Sequence, residues 1–272
     1  MKPGLLAIII VLANFETSAQ QKFDLLWEDN FDSSQINYVR WNNSYGWGRT
    51  IVNNHELEYY TNGKNLELKN GTLNIIGRKE SIAARVDSSS SEDKLMNDSV
   101  TNLRVFQYTS GMLRSKEKFH YGKFEIRCKL PKGNGTWPAF WLYGGACGEI
   151  DIFEKPWKFH YGVTNNLHYD SSGIPCGDFR FTELESRNTF SKAFHTYSIE
   201  WAPDTLKWFI DDNLVRIAVH AYSNCPMELI INLALADDDF WGHIPAGKKW
   251  HSVFEIDYIK VWRLKDHPRY SP

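Results

Sequence analysis

The stretch Gly148-Glu149-Ile150-Asp151-Ile152-Phe153-Glu154 combines three carboxylates with four other residues, most of them apolar. Side chains alternate between the two faces of a β-strand, so Glu149 and Asp151 share a face while Glu154 points away in a regular strand. A β-bulge between Asp151 and Glu154 restores the parity, and bulges are common beside active sites. The stretch therefore predicts a bulged strand that presents three carboxylates on one face.

Three carboxylates on one face repel one another, which raises the pKa of at least one of them and costs stability. Retaining glycoside hydrolysis needs such an arrangement: one ionised carboxylate is the nucleophile and one protonated carboxyl, about 5 to 5.5 Å away, is the general acid. The other interpretation is an edge strand with a solvated acidic face. Ile150, Ile152 and Phe153 disfavour a surface strand, so the catalytic interpretation is favoured.

The rest of the chain also follows the period of a β-strand. Between residues 23 and 263, apolar and polar side chains alternate, turn residues interrupt them, and almost no stretch has helical spacing. Asn70-Gly71, between two such runs, is a strong hairpin signal. Many short strands predict an antiparallel sandwich. Without a repeat or a second composition regime, residues 20–272 are expected to form a single domain.

The N-terminus is predicted to be a secretory signal peptide, residues 1–19. Lys2 precedes an apolar run over residues 5–13, and Thr17-Ser18-Ala19 is a small-residue cleavage site. The apolar run is shorter than the roughly 20 residues that a membrane span needs. The expected location is outside the cytoplasm: secreted, periplasmic or at the cell surface.

The composition favours a sugar ligand over a nucleic acid. The chain has 31 basic and 33 acidic side chains, so no excess of positive charge indicates nucleic-acid binding. Aromatic residues reach 15%, including 11 tryptophans, and most of them are expected to fill the core. The remainder suits the C–H faces of sugar rings. The expected partner is a polysaccharide. The chain itself is expected to have no membrane span and to be a monomer.

Four cysteines, at positions 128, 147, 176 and 225, permit three pairings in an exported chain. We expect a disulfide between Cys147 and Cys176, which flank the acidic stretch. The alternative is that all four remain reduced as small buried apolar residues. No spacing typical of a zinc site occurs, so no catalytic metal is expected.

Residues 149–154, preceded by Trp137-Pro138-Ala139-Phe140-Trp141-Leu142, resemble the signature of glycoside hydrolase family 16, in the bulged form of its laminarinase-like members. The stretch Asn53-Asn54-His55-Glu56-Leu57-Glu58-Tyr59-Tyr60-Thr61 is similar to the asparagine-rich loop of that family, and residues 121–127 and 194–201 resemble its framework strands. The resemblance extends from about residue 23 to residue 263.

The resemblance implies a concanavalin A-like jelly roll with a concave substrate cleft, and endo-acting, retaining hydrolysis without a cofactor. Glu149 would be the nucleophile, Glu154 the acid/base, and Asp151 the residue that positions Glu149. A structural calcium is known in the family and would involve Asp257 here.

The resemblance to family 16, together with the residue types, gives seven predicted sugar contacts: Asn53, Glu56, Trp137, Trp141, Trp157, His168 and Trp241. The tryptophans at 137 and 141 would form the floor beside the scissile bond, and His168 would reach the cleft near the acid/base. Trp157 and Trp241 would flank the cleft on opposite sides. The alternatives are core packing for the tryptophans, a structural histidine, and a loop tied by its own turns at Asn53 and Glu56.

The chain departs from typical laminarinases near the predicted subsites. The loop before the acids is short, Asn232-Leu233-Ala234-Leu235-Ala236-Asp237 replaces a Gly-Gly turn, and Met112 stands where arginine is common. The expected substrate is a β-1,3- or β-1,3-1,4-glucan. The alternatives are an endo-β-galactanase acting on agar, carrageenan, porphyran or host poly-lactosamine, a transglycosylase, and a non-catalytic glycan-binding protein. Because all three acids are present, an enzyme is favoured over the binding protein.

Overall fold

Almost every element of the computed structural model is a β-strand. It describes residues 23–51, 54–86, 103–156, 158, 162–170, 175–183, 190–219, 225–247 and 249–265, with the backbone alone at 169–170 and 175–183. The strands are β1 Phe23–Asp29, β2 Trp41–Asn42, β3 Glu58–Tyr60, β4 Leu66–Lys69, β5 Thr72–Arg78, β6 Ile82–Arg85, β7 Leu103–Phe106, β8 Tyr108–Ser110, β9 Met112–Phe119, β10 Gly122–Lys129, β11 Thr136–Tyr143, β12 Glu149–Glu154, β13 Gly162–Asp170, β14 Pro175–Glu183, β15 His195–Trp201, β16 Thr205–Ile210, β17 Asn213–Val219, β18 Met227–Leu235 and β19 His251–Leu264. A short 3-10 helix, Gly145–Cys147, lies between β11 and β12.

Two large sheets form the predicted sandwich. The first has ten strands: β17-β16-β15-β10-β19-β5-β8-β3 in order, with β1 on β19 and β4 on β5. The second has seven strands in the order β14-β13-β12-β11-β18-β9-β2, and β6 pairs with β7 separately. The pairs are antiparallel except β3 with β8. The prediction of an all-β jelly roll is confirmed.

Alternation along the strands places the core between the two sheets. In β10, Phe124, Ile126 and Cys128 are buried while Lys123 and Arg127 are more exposed, as the sequence predicted. The predicted hairpin joins β4 to β5 through Asn70 and Gly71, whose φ angles are 54° and 72°. The largest fully buried side chains include Trp41, Trp201, Trp208, Tyr197 and Phe153.

The outer face of the seven-stranded sheet carries a second apolar cluster. Cross-strand neighbours share a face, and Asp151 lies opposite Trp141, which lies opposite Ile230. We call this face, with Asp151, Glu154, Trp141 and Ile230, the cleft face. The second cluster consists of Tyr45, Tyr60, Met112, Ala139, Trp141 and Ile230. The segment that contains Tyr45 therefore covers part of the cleft face.

The predicted disulfide was wrong. Cys147 pairs with Cys225, with 6.2 Å between their Cα atoms, and not with Cys176. The bond ties the short helix before β12 to the segment that enters β18. These segments are distant in sequence but close in space, since β12 and β18 both pair with β11. Cys128 is free and buried in β10. The side chain of Cys176 lies outside the described residues.

Several sequence predictions fall outside the part of the chain that the structure describes. They are the signal peptide at residues 1–19, Asn53 and Trp157. Within the described part, no helix has the length and apolar character needed to cross a membrane.

Candidate active site

The predicted bulge lies in β12. Against β13, Asp151 pairs with Asn166 while Glu154 pairs with Thr164, so the register shifts between the two acids. Ile152 and Phe153 are both buried in the core between the sheets. Because these two consecutive side chains both face inward, Glu154 returns to the face of Glu149 and Asp151. The indole N–H of Trp208, on the opposite sheet, donates to the Asp151 carbonyl at 3.0 Å.

Two donors fix the carboxyl of Glu154. The indole N–H of Trp137 donates to Oε1 at 2.7 Å. The side-chain amide of Asn166, on β13, donates to Oε2. Each carboxyl oxygen therefore accepts one hydrogen bond, and the two bonds hold the carboxyl in one orientation on the cleft face.

Asp151 and Glu149 share a histidine neighbour. His168 Nε2 lies 3.1 Å from Asp151 Oδ2 and 3.7 Å from Glu149 Oε1. The side chain of Asp151 is only 3% exposed, whereas that of Glu149 is 28% exposed. Glu149 is thus the acid of this pair that a ligand can reach, and Asp151 lies behind it.

The pKa values of the acids differ from those of free carboxyls. Burial, and then the charge of Asp151, raises the pKa of Glu154 to about 8, although the donors from Trp137 and Asn166 oppose the rise. Burial, followed by the charges of Asp151 and Glu154, also raises the pKa of Glu149. The hydrogen bond to Asp151 raises the pKa of His168. The cluster therefore holds at least one proton at neutral pH, on Glu154, and its negative charge favours the protonated form of His168.

Comparisons with known proteins agree with this geometry. The sequence model of the glycosyl hydrolases family 16 matches residues 80–259. The chain belongs to glycosyl hydrolase family 16. It is therefore a glycoside hydrolase, and the resemblance found in its sequence is confirmed.

Relatives within family 16 include glucan-degrading enzymes. A glucan endo-1,3-β-glucosidase of Cryptopygus antarcticus is 30% identical over 282 residues, which cover 93% of this chain and 96% of the relative. Glucan endo-1,3-β-glucosidase A1 of Niallia circulans is 29% identical over 286 residues, 88% of this chain but 38% of the relative. This chain thus spans well under half of the Niallia circulans protein.

A solved structure of similar fold belongs to the endo-acting O-glycanases of the human gut microbiota that initiate mucin breakdown. It matches with a TM-score of 0.77 and 28% identity, over 91% of this chain and 93% of that chain.

Trp241 packs on Trp137, the residue whose indole N–H donates to Glu154. The two indoles are stacked, 3.8 Å apart and inclined by 13°. The backbone N–H of Lys158 donates to the carbonyl of Phe240 at 2.9 Å. The segment after Glu154 therefore contacts the loop of Trp241 through its backbone, whereas the place of Trp157, outside the described residues, stays a prediction. The chain after β12 turns toward this loop because Lys155 also bonds back to the carbonyl of Pro138.

Glu56, a predicted sugar contact, is turned away from the cleft in the structure. The residue is 2% exposed, and its carboxyl group accepts the backbone N–H of Ile51 at 2.9 Å. The carboxylate turns inward because it closes its own loop. Trp141 is also largely covered, 7% exposed, and its indole N–H donates to Asn232 at 2.8 Å. Trp141 thus contributes little surface to the predicted floor.

His168 is in contact with Asp151 and Glu149, and its charge also acts on Glu154. The structure assigns the position next to Glu154 to Asn166, which the sequence analysis did not single out. The signal was available: Asn166 and His168 are two residues apart on one predicted strand, so they share a face. Asn232, which lies opposite Ala139 and accepts the indole N–H of Trp141, was missed because its position depends on the pairing of β11 with β18.

The structural calcium expected to involve Asp257 stays a prediction. The carboxylate of Asp257 is paired with the guanidinium of Arg127 on the neighbouring strand. Among the described residues, the one group of three or more histidine, cysteine, aspartate or glutamate side chains close enough to share an ion is Glu149, Asp151 and His168, within 4.8 Å of one another. These are the residues of the acid cluster described above.

Proposed function

We propose that the chain is an endo-acting, retaining β-glycanase that cleaves internal linkages of a polysaccharide, with Glu149 as nucleophile, Glu154 as acid/base and Asp151 as the residue that positions Glu149. The observation that carries the proposal is the bulge in β12, which puts the three acids on the cleft face. The unequal environments of the acids support the two roles. Glu149 is the more exposed, and Glu154 is buried and oriented by Trp137 and Asn166.

In the first step, the ionised Glu149 attacks the anomeric carbon. The bond from that carbon to the leaving oxygen breaks, and Glu154 gives its proton to the leaving oxygen. A pKa of about 8 keeps Glu154 protonated at neutral pH. Asp151 lies between the two glutamates and positions Glu149 for the attack. With Glu154 protonated, one of the charges that raise the pKa of Glu149 is absent.

In the second step, Glu154 is a carboxylate and acts as the base. It takes a proton from a water whose oxygen attacks the anomeric carbon, and the bond to Glu149 breaks. Both acids return to their starting states, and the configuration of the sugar is retained. Neither step needs a cofactor. The substrate supplies the leaving oxygen and water supplies the new one.

The proposed substrate is a β-1,3- or β-1,3-1,4-glucan. The support comes from the relatives of Cryptopygus antarcticus and Niallia circulans, both glucan endo-1,3-β-glucosidases. The similarity of the solved O-glycanase, which acts in mucin breakdown, supports a second candidate, a host glycan, represented among the alternatives by poly-lactosamine.

A reducing-sugar assay tests the proposal with laminarin, mixed-linkage glucan, agarose, carrageenan and a poly-lactosamine glycan. We expect release of oligosaccharides from one of the glucans, with the β-anomer as the first product in the nuclear magnetic resonance spectrum. Activity on poly-lactosamine alone would establish the second candidate.

Two variants serve as controls in the same assay. Glu149→Gln should fold and lose nearly all turnover, since it lacks the nucleophilic oxygen anion. Glu67→Gln, an exposed change on β4, should behave like the unchanged protein. Substantial turnover by Glu149→Gln, or the α-anomer as first product, would contradict the assigned roles. Chains longer than the substrate, formed with added acceptor, would indicate a transglycosylase.

We further propose that residues 1–19 are a signal peptide, that residues 20–272 form one exported domain, and that this domain is a monomer. The disulfide between Cys147 and Cys225 supports export, because such bonds persist in oxidising compartments. N-terminal sequencing of the protein from the culture medium would test the cleavage after Ala19, and light scattering would test the monomer.

A further inference from the structure

The loop over residues 236–244, here called the Trp241 loop, is closed by a histidine between two carboxylates. His243 Nδ1 lies 2.8 Å from Asp237 Oδ1, and His243 Nε2 lies 3.1 Å from Asp239 Oδ1. A ring nitrogen donates only when it carries a proton, and both nitrogens carry one only in the imidazolium. The protonated ring is therefore the form that binds both acids at once.

The third acid of the loop shapes its backbone. Asp238 Oδ1 accepts the backbone N–H groups of Phe240 and Trp241, at 2.9 and 2.7 Å. The N–H of Gly242 donates to the Asp238 carbonyl at 2.8 Å. These bonds close a turn with Trp241 near its tip, so the direction of the indole follows from the shape of the turn.

The loop rests on the segment that leads into β11. The N–H of Gly135 donates to the Trp241 carbonyl, and the N–H of Ala236 donates to the Gly135 carbonyl, both at 3.1 Å. Gly135 has a φ of +74°, and a Cβ there would lie 2.2 Å from Ile244 Cγ1. This close approach fixes the Trp241 loop to the residues immediately before Trp137.

Trp241 then contacts the residue that orients the acid/base. Its indole stacks on Trp137 at 3.8 Å, and the Trp137 N–H donates to Glu154 Oε1 at 2.7 Å. We propose that His243 and Trp241 are positioning residues for Glu154: the clamped loop presses Trp241 on Trp137 and so holds the indole N–H on the acid/base. This inference rests on the proposed role of Glu154.

The charges around His243 make the positioning dependent on pH. The hydrogen bonds to Asp237 and Asp239 raise the pKa of His243. Two other ionisable side chains from neighbouring elements face the loop. Burial and the charge of Asp237 raise the pKa of Tyr108. Lys158 Nζ lies 6.0 Å from the centre of the Phe240 ring. When pH rises and His243 loses its proton, one of its two hydrogen bonds is lost. The clamp is therefore complete while His243 is protonated, and it weakens as pH rises through the raised pKa of His243.

The test compares kcat/KM of the unchanged enzyme with that of His243→Phe, from pH 5.5 to 9.5, on the polysaccharide that the enzyme is found to cleave. Phenylalanine keeps a planar ring but has no hydrogen-bond donor. We expect kcat/KM of His243→Phe to be up to about fivefold lower than that of the unchanged enzyme at pH 5.5, an effect of the size that an exposed ion pair has. The ratio of the two enzymes should approach one in alkali, because the unchanged enzyme also loses its clamp. His251→Phe, an exposed change on β19, is the matched control and should leave the ratio at one.

Circular dichroism provides a readout that needs no substrate. Stacked indoles give a coupled band near 230 nm, which Trp241→Leu and Trp137→Phe should each abolish. His243→Phe should weaken this band at pH 5.5. An unchanged band, or an activity ratio that is one or constant at every pH, would overturn the inference. Glu154→Gln separates the two proposals: full activity there would refute the role of Glu154 itself, whereas an inactive Glu154→Gln beside an unaffected His243→Phe would refute only the positioning role.

Discussion

Replacement of Glu58 by glutamine should make the protein more resistant to alkali. Glu58 is fully buried on β3, and its Oε2 accepts the backbone N–H of Leu235 at 2.7 Å. Glu56, also buried, lies beside it. Burial raises the pKa of Glu58 from 4.5 to about 7. Glutamine keeps the shape and an acceptor for Leu235 but carries no charge at any pH.

The magnitude follows from proton linkage. A carboxyl with a higher pKa in the folded state holds its proton more tightly there, so the free energy of unfolding falls as pH rises above 4.5 and levels off above 7. Since a tenfold change in proton affinity corresponds to about 1.4 kcal/mol, Glu58 should cost the folded protein about 3 kcal/mol in alkali. The charge of Glu58 also raises the pKa of Glu56, so its removal relieves the neighbour too.

Urea unfolding followed by tryptophan fluorescence measures this effect between pH 4.5 and 8.5. The difference in unfolding free energy, Glu58→Gln minus the unchanged protein, should grow by about 3 kcal/mol over that range. Other buried acids, such as Glu149 and Glu154, contribute to both proteins and cancel. Glu67→Gln should give a flat difference. Parallel curves for Glu58→Gln and the unchanged protein would refute the reasoning.

Three further changes test other parts of the structure. Trp137→Phe removes a donor that stabilises ionised Glu154, so the alkaline limb of kcat/KM, expected at about pH 8, should move up by about one pH unit; an unmoved limb would contradict that bond. Cys147→Ala with Cys225→Ala opens a link across 78 residues and should cost about 4 kcal/mol in urea unfolding, a loss that reductant should reproduce in the unchanged protein. Phe153→Ala should cost about 3 to 5 kcal/mol, because the bulge buries that ring completely; a cost below 1 kcal/mol would place the ring outside the core.

The sequence alone was sufficient for the features that depend on local alternation. Strand periodicity gave the sandwich, Asn70 and Gly71 gave a hairpin, and the spacing of Glu149, Asp151 and Glu154 gave the bulge. These features are local because a strand has a fixed period of two, so the face of each side chain follows from counting residues. Family 16 also followed from sequence, through short motifs in a fixed order.

Only the tertiary structure decided which distant side chains meet. The partners of Glu154, namely Trp137 and Asn166, come from the strands on either side of β12, and the partner of Cys147 enters β18, beyond β11. The inward turn of Glu56 likewise depends on a loop that packs on the cleft face. Sequence spacing sets the face of a side chain but not the register between strands. That register depends on packing of the whole core, which is why the acids were predictable and their surroundings were not.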